Sequence, residues 1–282
     1  MIIFKQVKDL TKYLQKQQVA KNSIGFLPTM GALHEGHLSL LKECKKMSKV
    51  TVCSIFVNPT QFNNIEDLDK YPKSVSNDIL LLEQNECNVL FLPDEKEIYP
   101  DERSKQKHFD LGYLETILEG KFRPGHFQGV SLVVEKLLKI VNPDFLFLGQ
   151  KDFQQCLVIK RLVGLMNKNI KIIICPILRE ESGLAMSSRN LRLSFSDRKL
   201  ASELFHTLIS IKNKLKSEDF LKLKEQAIQD LETNGFKVEY LELAKKSNLE
   251  IVSHFKTEEE LIILIAAFLG NVRLIDNLLI NP

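Results

Sequence analysis

Two histidines three residues apart, His34 and His37, with a glycine directly before the second, are the residues of this 282-residue chain whose types and spacing most invite chemistry. They close the segment Met30-Gly31-Ala32-Leu33-His34-Glu35-Gly36-His37, which follows an apolar run at 23–27 and precedes a helical pattern at 36–48. Strand, Gly-containing loop and helix is the arrangement that turns backbone N–H groups and a positive helix end toward phosphate. Gly31 and Gly36 have P-loop spacing, but His37-Leu38 stands where Lys and Ser/Thr are required, so this is not a Walker motif. His34-Glu35-Gly36-His37 falls one residue short of H-E-x-x-H, so it is not a metalloprotease helix either. Imidazoles three apart share one side of a helical turn and can donate to ATP phosphates, while Gly36 leaves room for the nucleotide. Taken alone, the segment also reads as two solvent-facing histidines at an ordinary helix start.

Three further segments bear on that choice. Gly149-Gln150-Lys151-Asp152 follows the apolar run 145–148. Ligands of doubly wound sheets bind at the carboxyl ends of strands, so Lys151, flanked by Gly149, Asp152 and Gln155, is a candidate phosphate contact rather than a merely solvated lysine. Met186-Ser187-Ser188-Arg189 offers hydroxyls, backbone N–H groups and a guanidinium. That set suits a mobile loop that neutralises charge as pyrophosphate departs, or else a plain linker with an N-cap serine. Asn58-Pro59-Thr60-Gln61-Phe62 ends another apolar run, and Gln61 can donate and accept toward a ligand bearing hydroxyl and carboxylate groups. In Arg123-Pro124-Gly125-His126-Phe127, Arg123 can steer an anion and His126 can serve as a structural helix-start residue.

The elements that must position these groups are legible as apolar runs separated by helical patterns. Strands are expected at 23–27, 50–57, 89–92, 145–148 and 170–175, with helices at 36–48, 76–85, 126–140 and 153–166. Unbroken apolar strands alternating with helices indicate a parallel sheet covered on both faces, hence an α/β, Rossmann-like doubly wound fold. Beyond 177 the texture changes. Residues 178–190 are polar and aperiodic, and then come a helix opened by Ser194 or Ser196, a helix at 217–233, and strands at 238–243 and 261–268. Asn234-Gly235 has the composition of a helix stop. We therefore expect a catalytic domain at 1–177 and a smaller α+β lid domain at 178–282.

Composition excludes other classes. A net charge of +3, with lysines of the 212–224 run interleaved with Leu and Ile, is too mild for nucleic acid. Five cysteines, widely spaced and without a C-x-x-C pair, read as buried thiols of a cytoplasmic protein. The longest apolar run, 261–269, is far short of the roughly 20 residues of a membrane span.

Together the blocks resemble the pantothenate synthetase (pantoate–β-alanine ligase) family. They are the segment from Pro28 to His37, Phe56-Val57-Asn58-Pro59-Thr60-Gln61-Phe62, Arg123-Pro124-Gly125-His126-Phe127, Gly149-Gln150-Lys151-Asp152-Phe153-Gln154-Gln155, Met186-Ser187-Ser188-Arg189-Asn190 and, near the end, Arg273-Leu274-Ile275-Asp276-Asn277. The resemblance implies that pantoate attacks the α-phosphate of Mg2+-bound ATP to give pantoyl adenylate, from which β-alanine displaces AMP. It implies an ATP site lined by Met30, Gly31, Ala32, Leu33, His34, Glu35, Gly36, His37, Gly149, Gln150, Lys151, Asp152, Leu178, Met186, Ser187, Ser188 and Arg189. Of these, His34, His37, Lys151, Ser187, Ser188 and Arg189 would act on the reacting phosphates, with His37 the donor to the leaving group. Gln61, Gln155 and Arg123 would hold the other substrates, Gln61 meeting both pantoate and β-alanine. A homodimer is implied as well, while the metal ligands stay open.

The chain departs from the family pattern at three places. Thr60 replaces a common Met, Glu181-Ser182 replaces a frequent Pro-Asp, and an acidic pair is reduced to Asn77-Asp78. The chemistry is coherent without the family name, because a substrate carboxylate that attacks by itself needs charge neutralisation more than a protein nucleophile. A nucleotidyltransferase that releases its nucleotide-linked product would leave Gln61 and Gln155 unexplained. A synthetase acting on tRNA would want a basic surface, and a regulatory nucleotide module would not need residues 186–189.

Overall fold

The computed structural model describes residues 1–256 and 259–280, apart from the side chains of residues 103 and 104. The chain divides into two compact units, Met1–Gly149 with Gln155–Pro176, and Gln150–Gln154 with Ile177–Pro282. The second unit thus takes in Gln150–Gln154, the segment just after the 145–148 run, as well as the residues beyond Pro176.

The strands of the first unit are β1 (Ile2–Phe4), β2 (Ile24–Thr29), β3 (Val50–Ile55), β4 (Val89–Phe91), β5 (Phe145–Gly149) and β6 (Lys171–Cys175). Its helices are α1 (Val7–Val19), α2 (Glu35–Met47), α3 (Ile65–Asp69), α4 (Val75–Gln84), α5 (Glu95–Ile98), α6 (Leu118–Phe122), α7 (His126–Val141) and α8 (Phe153–Leu165), the last beginning in the segment that groups with the other unit. The strands form one parallel sheet in the order β1-β4-β3-β2-β5-β6. Successive side chains of a strand face opposite ways, and both faces are buried. Phe26, Val52, Leu146 and Leu148 join a core with Leu10 and Leu14 of α1, Leu138 of α7 and Leu162 of α8. Leu27, Cys53 and Phe147 join a second core with Leu41 of α2 and Leu82 of α4. Two-sided burial explains why the strands read as continuous apolar runs.

β2 is the centre of this sheet. It pairs with β3 on one side and β5 on the other, so chain order reverses there and the carboxyl ends of β2 and β5 flank the switch point at which such sheets bind ligands. The loop that begins at Met30 leaves from one of those ends.

In the C-terminal unit, α9 (Phe195–Leu200), α10 (Glu203–Lys214) and α11 (Phe220–Thr233) precede the antiparallel strands β7 (Phe236–Lys245), β8 (Leu261–Leu269) and β9 (Val272–Ile280). Leu204, Leu208, Phe220 and Leu231 pack with Leu241, Ile263, Ile265 and Leu274. The apolar run at 261–269 is the central strand, buried on both faces. Gly235, at φ +87°, follows the end of α11 in the left-handed conformation of a helix stop. Residues 178–190, which lack periodicity, are not featureless: Arg179 and Ala185 bridge in antiparallel fashion, and Ser188–Arg192 forms a 3-10 turn. Among the described residues no helix is long and apolar enough to cross a membrane.

All five cysteines are free and buried. Burial pushes the Cys44 thiol up to about 12 and Cys175 up to about 11, and it raises Cys53 and Cys87 as well. At pH 8 a thiol of that kind is ionised about once in 10³–10⁴ molecules, and the thiolate is the reactive form. The native protein should therefore resist an aromatic disulfide reagent that titrates five thiols after unfolding in guanidinium; a thiol that reacts at once in the native state would refute this.

Candidate active site

The loop after β2 starts with a sharp reversal. The Thr29 hydroxyl donates to the Ser54 carbonyl of β3 (2.7 Å) and accepts the Gly31 N–H (3.2 Å). Gly31 and Ala32 then take φ values of +82° and +49°. An alanine in the left-handed region is strained by on the order of 1 kcal/mol. The turn persists because its next two N–H groups share a carboxylate: Ala32 N–H reaches Asp78 Oδ2 at 2.9 Å and Leu33 N–H reaches Oδ1 at 2.8 Å. Asp78, 0% exposed on α4, also accepts the Ser74 hydroxyl at 3.0 Å. A Cβ at Gly31 would stand 2.9 Å from Asp78 Oδ2, so both the dihedral and the space require glycine. Asp78, part of the Asn77-Asp78 departure, is thus the support of the loop. The sequence signal for it was its phase on α4, four residues before buried Leu82.

His34 and His37 open α2 as a reciprocal cap. His34 Nδ1 accepts the Gly36 N–H at 3.2 Å, and His37 Nδ1 accepts the His34 N–H at 3.3 Å. This is a capping box built from two imidazoles in place of the usual Ser/Thr and Glu/Gln. A ring nitrogen that accepts carries no proton, so each neutral ring holds its proton on Nε2. The ring centroids lie 4.1 Å apart. Helix capping uses one nitrogen of each ring and leaves the other as the protonated one, so the helix-start and phosphate-donor readings are compatible.

Gln61 ends a 3-10 turn, Pro59–Gln61. Asn58, 0% exposed, is the hub beneath it. Its Nδ2 donates to Gln61 Oε1 (3.2 Å) and the Gly129 carbonyl (3.1 Å), while its Oδ1 accepts the hydroxyls of Thr60 (3.0 Å) and Tyr99 (2.9 Å). Thr60, the departure from Met, therefore belongs to a polar knot. Burial lifts the Tyr99 phenol above its ordinary range, which keeps it a donor, although its bond with Thr60 acts the other way. Gly129 is required by contact: a Cβ there would lie 2.1 Å from the Thr60 carbonyl, so the turn rests directly on α7. With its oxygen held by Asn58, Gln61 has Nε2 3.0 Å from Met30 Sδ, which joins this turn to the loop that carries His34. From sequence alone Asn58 carries no role; an Asn before Pro, which can cap its own turn, is the signal that marks it.

Arg123 stands behind this turn. Its guanidinium pairs with Glu119 at 3.6 Å and donates to His126 Nε2 at 3.1 Å, and His126 Nδ1 donates to the Gln61 carbonyl at 2.9 Å. Arg123 thus has a carboxylate and a ring nitrogen as neighbours and is linked to the Gln61 carbonyl through His126. Gln155 is half-buried in the first turn of α8.

The remaining candidates belong to the C-terminal unit. Lys151 is half-buried and Asp152 exposed in the 3-10 turn Gln150–Asp152. Leu178 is 39% exposed, and its carbonyl accepts the Met186 N–H at 3.0 Å. The Ser187 hydroxyl accepts the Arg189 N–H at 3.3 Å and caps the next turn; Ser188 is buried, and Arg189 is half-buried. Each set is organised within its own unit: Met30, His34, His37 and Gln61 in the first, Lys151 and residues 186–189 in the second. Among the described residues no group of three or more His, Cys, Asp or Glu could hold a metal ion.

A doubly wound parallel sheet whose central strand leads into a histidine-capped helix defines a nucleotide-handling α/β enzyme. The family model for pantoate-beta-alanine ligase matches residues 2–279, and the chain belongs to that family. It is 45% identical over 283 residues to the pantothenate synthetase of Cytophaga hutchinsonii, with 99% of each chain covered. The pantothenate synthetase structure from Thermus thermophilus covers both chains fully at 34% identity and a TM-score of 0.91. A pantoate-beta-alanine ligase from Francisella tularensis, complexed with beta-gamma ATP and beta-alanine, gives 39% identity and a TM-score of 0.82 over 99% of this chain and 97% of that one. The protein is thus a ligase of pantothenate biosynthesis.

The support given by Asp78 is testable. Asp78→Ala leaves the Ala32 and Leu33 N–H groups without their buried acceptor, which should lower unfolding free energy by about 2–4 kcal/mol. A wild-type guanidinium midpoint and slope would refute the account.

Proposed function

We propose that the chain joins pantoate to β-alanine in two steps through pantoyl adenylate, with ATP entering as its magnesium complex. The carrying observation is the imidazole capping box at the start of α2, in which each Nδ1 accepts a backbone N–H and each neutral ring holds its proton on Nε2. In the first step a pantoate carboxylate oxygen bonds to the α-phosphorus while the bond to the pyrophosphate oxygen breaks. Charge grows on that leaving oxygen. His37 Nε2–H donates to it, and His34 holds a neighbouring phosphate oxygen. Preorganised donors of this kind need no reorientation as charge develops. Lys151, Ser187, Ser188 and Arg189 bind the triphosphate and neutralise the departing pyrophosphate.

Gln61 and Gln155 hold pantoate, and Gln61 presents Nε2 because its oxygen is engaged by Asn58. Gln61 later meets β-alanine, whose amine attacks the acyl carbon and expels AMP. The backbone of residues 30–37, together with Gly149, Gln150, Asp152, Leu178 and Met186, lines the nucleotide. Magnesium, a hard cation that keeps phosphate oxygens and waters as ligands, enters as part of the substrate. The working form is a homodimer, and its location is the cytoplasm, in keeping with five free buried thiols.

Purified protein with magnesium and ATP should exchange labelled pyrophosphate into ATP only when pantoate is present; exchange without pantoate, or none with it, would sink the proposal. His37→Ala should slow that exchange about a hundredfold, equivalent to about 2.7 kcal/mol. Loss of its cap alone costs about 1 kcal/mol of stability, so a folded variant with near-native exchange would return His37 to a purely structural place.

A further inference from the structure

The turn that carries Lys151 is held by the side chain of Asn277. Asn277, 2% exposed on β9, donates through Nδ2 to the carbonyls of Gln150 (3.0 Å) and Lys151 (2.9 Å), and its Oδ1 accepts from Gln150 Nε2 at 3.0 Å. Both polar atoms of the amide are thereby engaged with a segment 126–127 residues earlier in the chain. Such a clamp fixes the two peptide units on either side of the Lys151 Cα, and with it the point from which the lysine side chain leaves.

The clamp is itself anchored. Asn277 N–H donates to Asp276 Oδ1 at 2.7 Å, and its carbonyl accepts from Arg179 Nη2 at 3.3 Å. Asp276 takes the fork of Arg179 at 2.6 and 2.9 Å, and Arg179 also donates to the Gly183 carbonyl at 3.1 Å while stacking 3.8 Å over Phe205. Arg179 and Gly183 lie on the segment that runs into residues 186–189. A bidentate guanidinium–carboxylate pair is directional as well as strong. The adjacent residues Asp276 and Asn277 therefore hold two separate stretches of chain, one bearing Lys151 and the other leading to Arg189.

We propose that Asn277 is a positioning residue for adenylation, acting through Lys151 by clamping the carbonyls of its turn. The inference rests on the reading that Lys151 meets the ATP phosphates. A displacement of about 1 Å at a reacting group can cost on the order of a hundredfold in rate, so loss of the clamp should register in chemistry before it registers in folding.

Four variants test this: Asn277→Ala, Asn277→Asp, Lys151→Ala and the double variant Asn277→Ala/Lys151→Ala. Each is assayed for pantoate-dependent pyrophosphate exchange, for β-alanine attack on preformed pantoyl adenylate, and for thermal unfolding. Asn277→Ala should lower the exchange kcat about ten- to a hundredfold and leave amine attack within about twofold. In the Lys151→Ala background it should add no further loss. Asn277→Asp conserves shape, but its carboxylate cannot donate; its exchange relative to wild type should rise as pH falls, because a protonated carboxyl regains one donor. Equal loss in both half-reactions, a loss that multiplies with that of Lys151→Ala, or a native exchange rate for Asn277→Ala would each overturn the inference. If Lys151→Ala itself leaves exchange intact, the phosphate reading of Lys151 fails instead, which separates the two failures.

Discussion

A buried carboxylate that receives two consecutive backbone N–H groups is the constraint on which the nucleotide end of this molecule depends. The chain must leave β2 at Thr29 and present a helix start within a few residues, and the reversal that does so passes through left-handed backbone at Gly31 and Ala32. Only glycine takes that conformation freely. Its persistence at an alanine needs an external partner, and Asp78 supplies one through both oxygens. Because Asp78 sits on α4, which packs on the same face of the sheet as α2, the geometry of the histidine pair is coupled to that core. Packing then becomes chemistry in few steps: α4 holds Asp78, Asp78 holds the turn, and the turn delivers His34 as the cap of α2.

The capping box resolves what looks from sequence like a choice between structure and function. An imidazole has two nitrogens, and a serine hydroxyl in the same cap would have a single oxygen for both purposes. With Nδ1 accepting from the backbone, the tautomer of the neutral ring follows from the helix start, and its N–H lies on Nε2. The Gln61 turn obeys the same economy. Asn58 and His126 consume the oxygen and the carbonyl of Gln61, and what they leave is an amide nitrogen beside Met30.

The sheet was legible because parallel strands buried on both faces must be apolar throughout, and the alternation of strands with helices gave the α/β class. Helix α1 escaped the sequence reading, and so did two strands whose stability is not local. β1 is only three residues long. β9 carries Arg273, Asp276 and Asn277 along a strand that pairs on β8, and no apolar period announces it. Asp78 reads from sequence as one more charge on a helix. Its partners lie 45 and 46 residues away, and only its step of four to Leu82 marks it as inward-facing. The candidate residues were visible as motifs, whereas their supports were not, because a support is defined by what it touches.

Arg123 makes that distinction concrete. As a sequence feature it is a cation beside a helix start; in the fold it meets Glu119 and His126, and its effect on Gln61 passes through an imidazole. The cations assigned to phosphate, Lys151 and Arg189, belong instead to the C-terminal unit, while the neutral donors His34, His37 and Gln61 belong to the sheet. In the proposed reaction this division has a physical logic. Neutral donors must be placed closely, since a hydrogen bond weakens steeply with angle, and here they stand on a helix start and a 3-10 turn that follow β2 and β3. A point charge acts over a longer range and tolerates more displacement. The exception is a lysine required at one distance from one oxygen, and that is the case in which a buried amide locked onto its own turn, as Asn277 is, would matter.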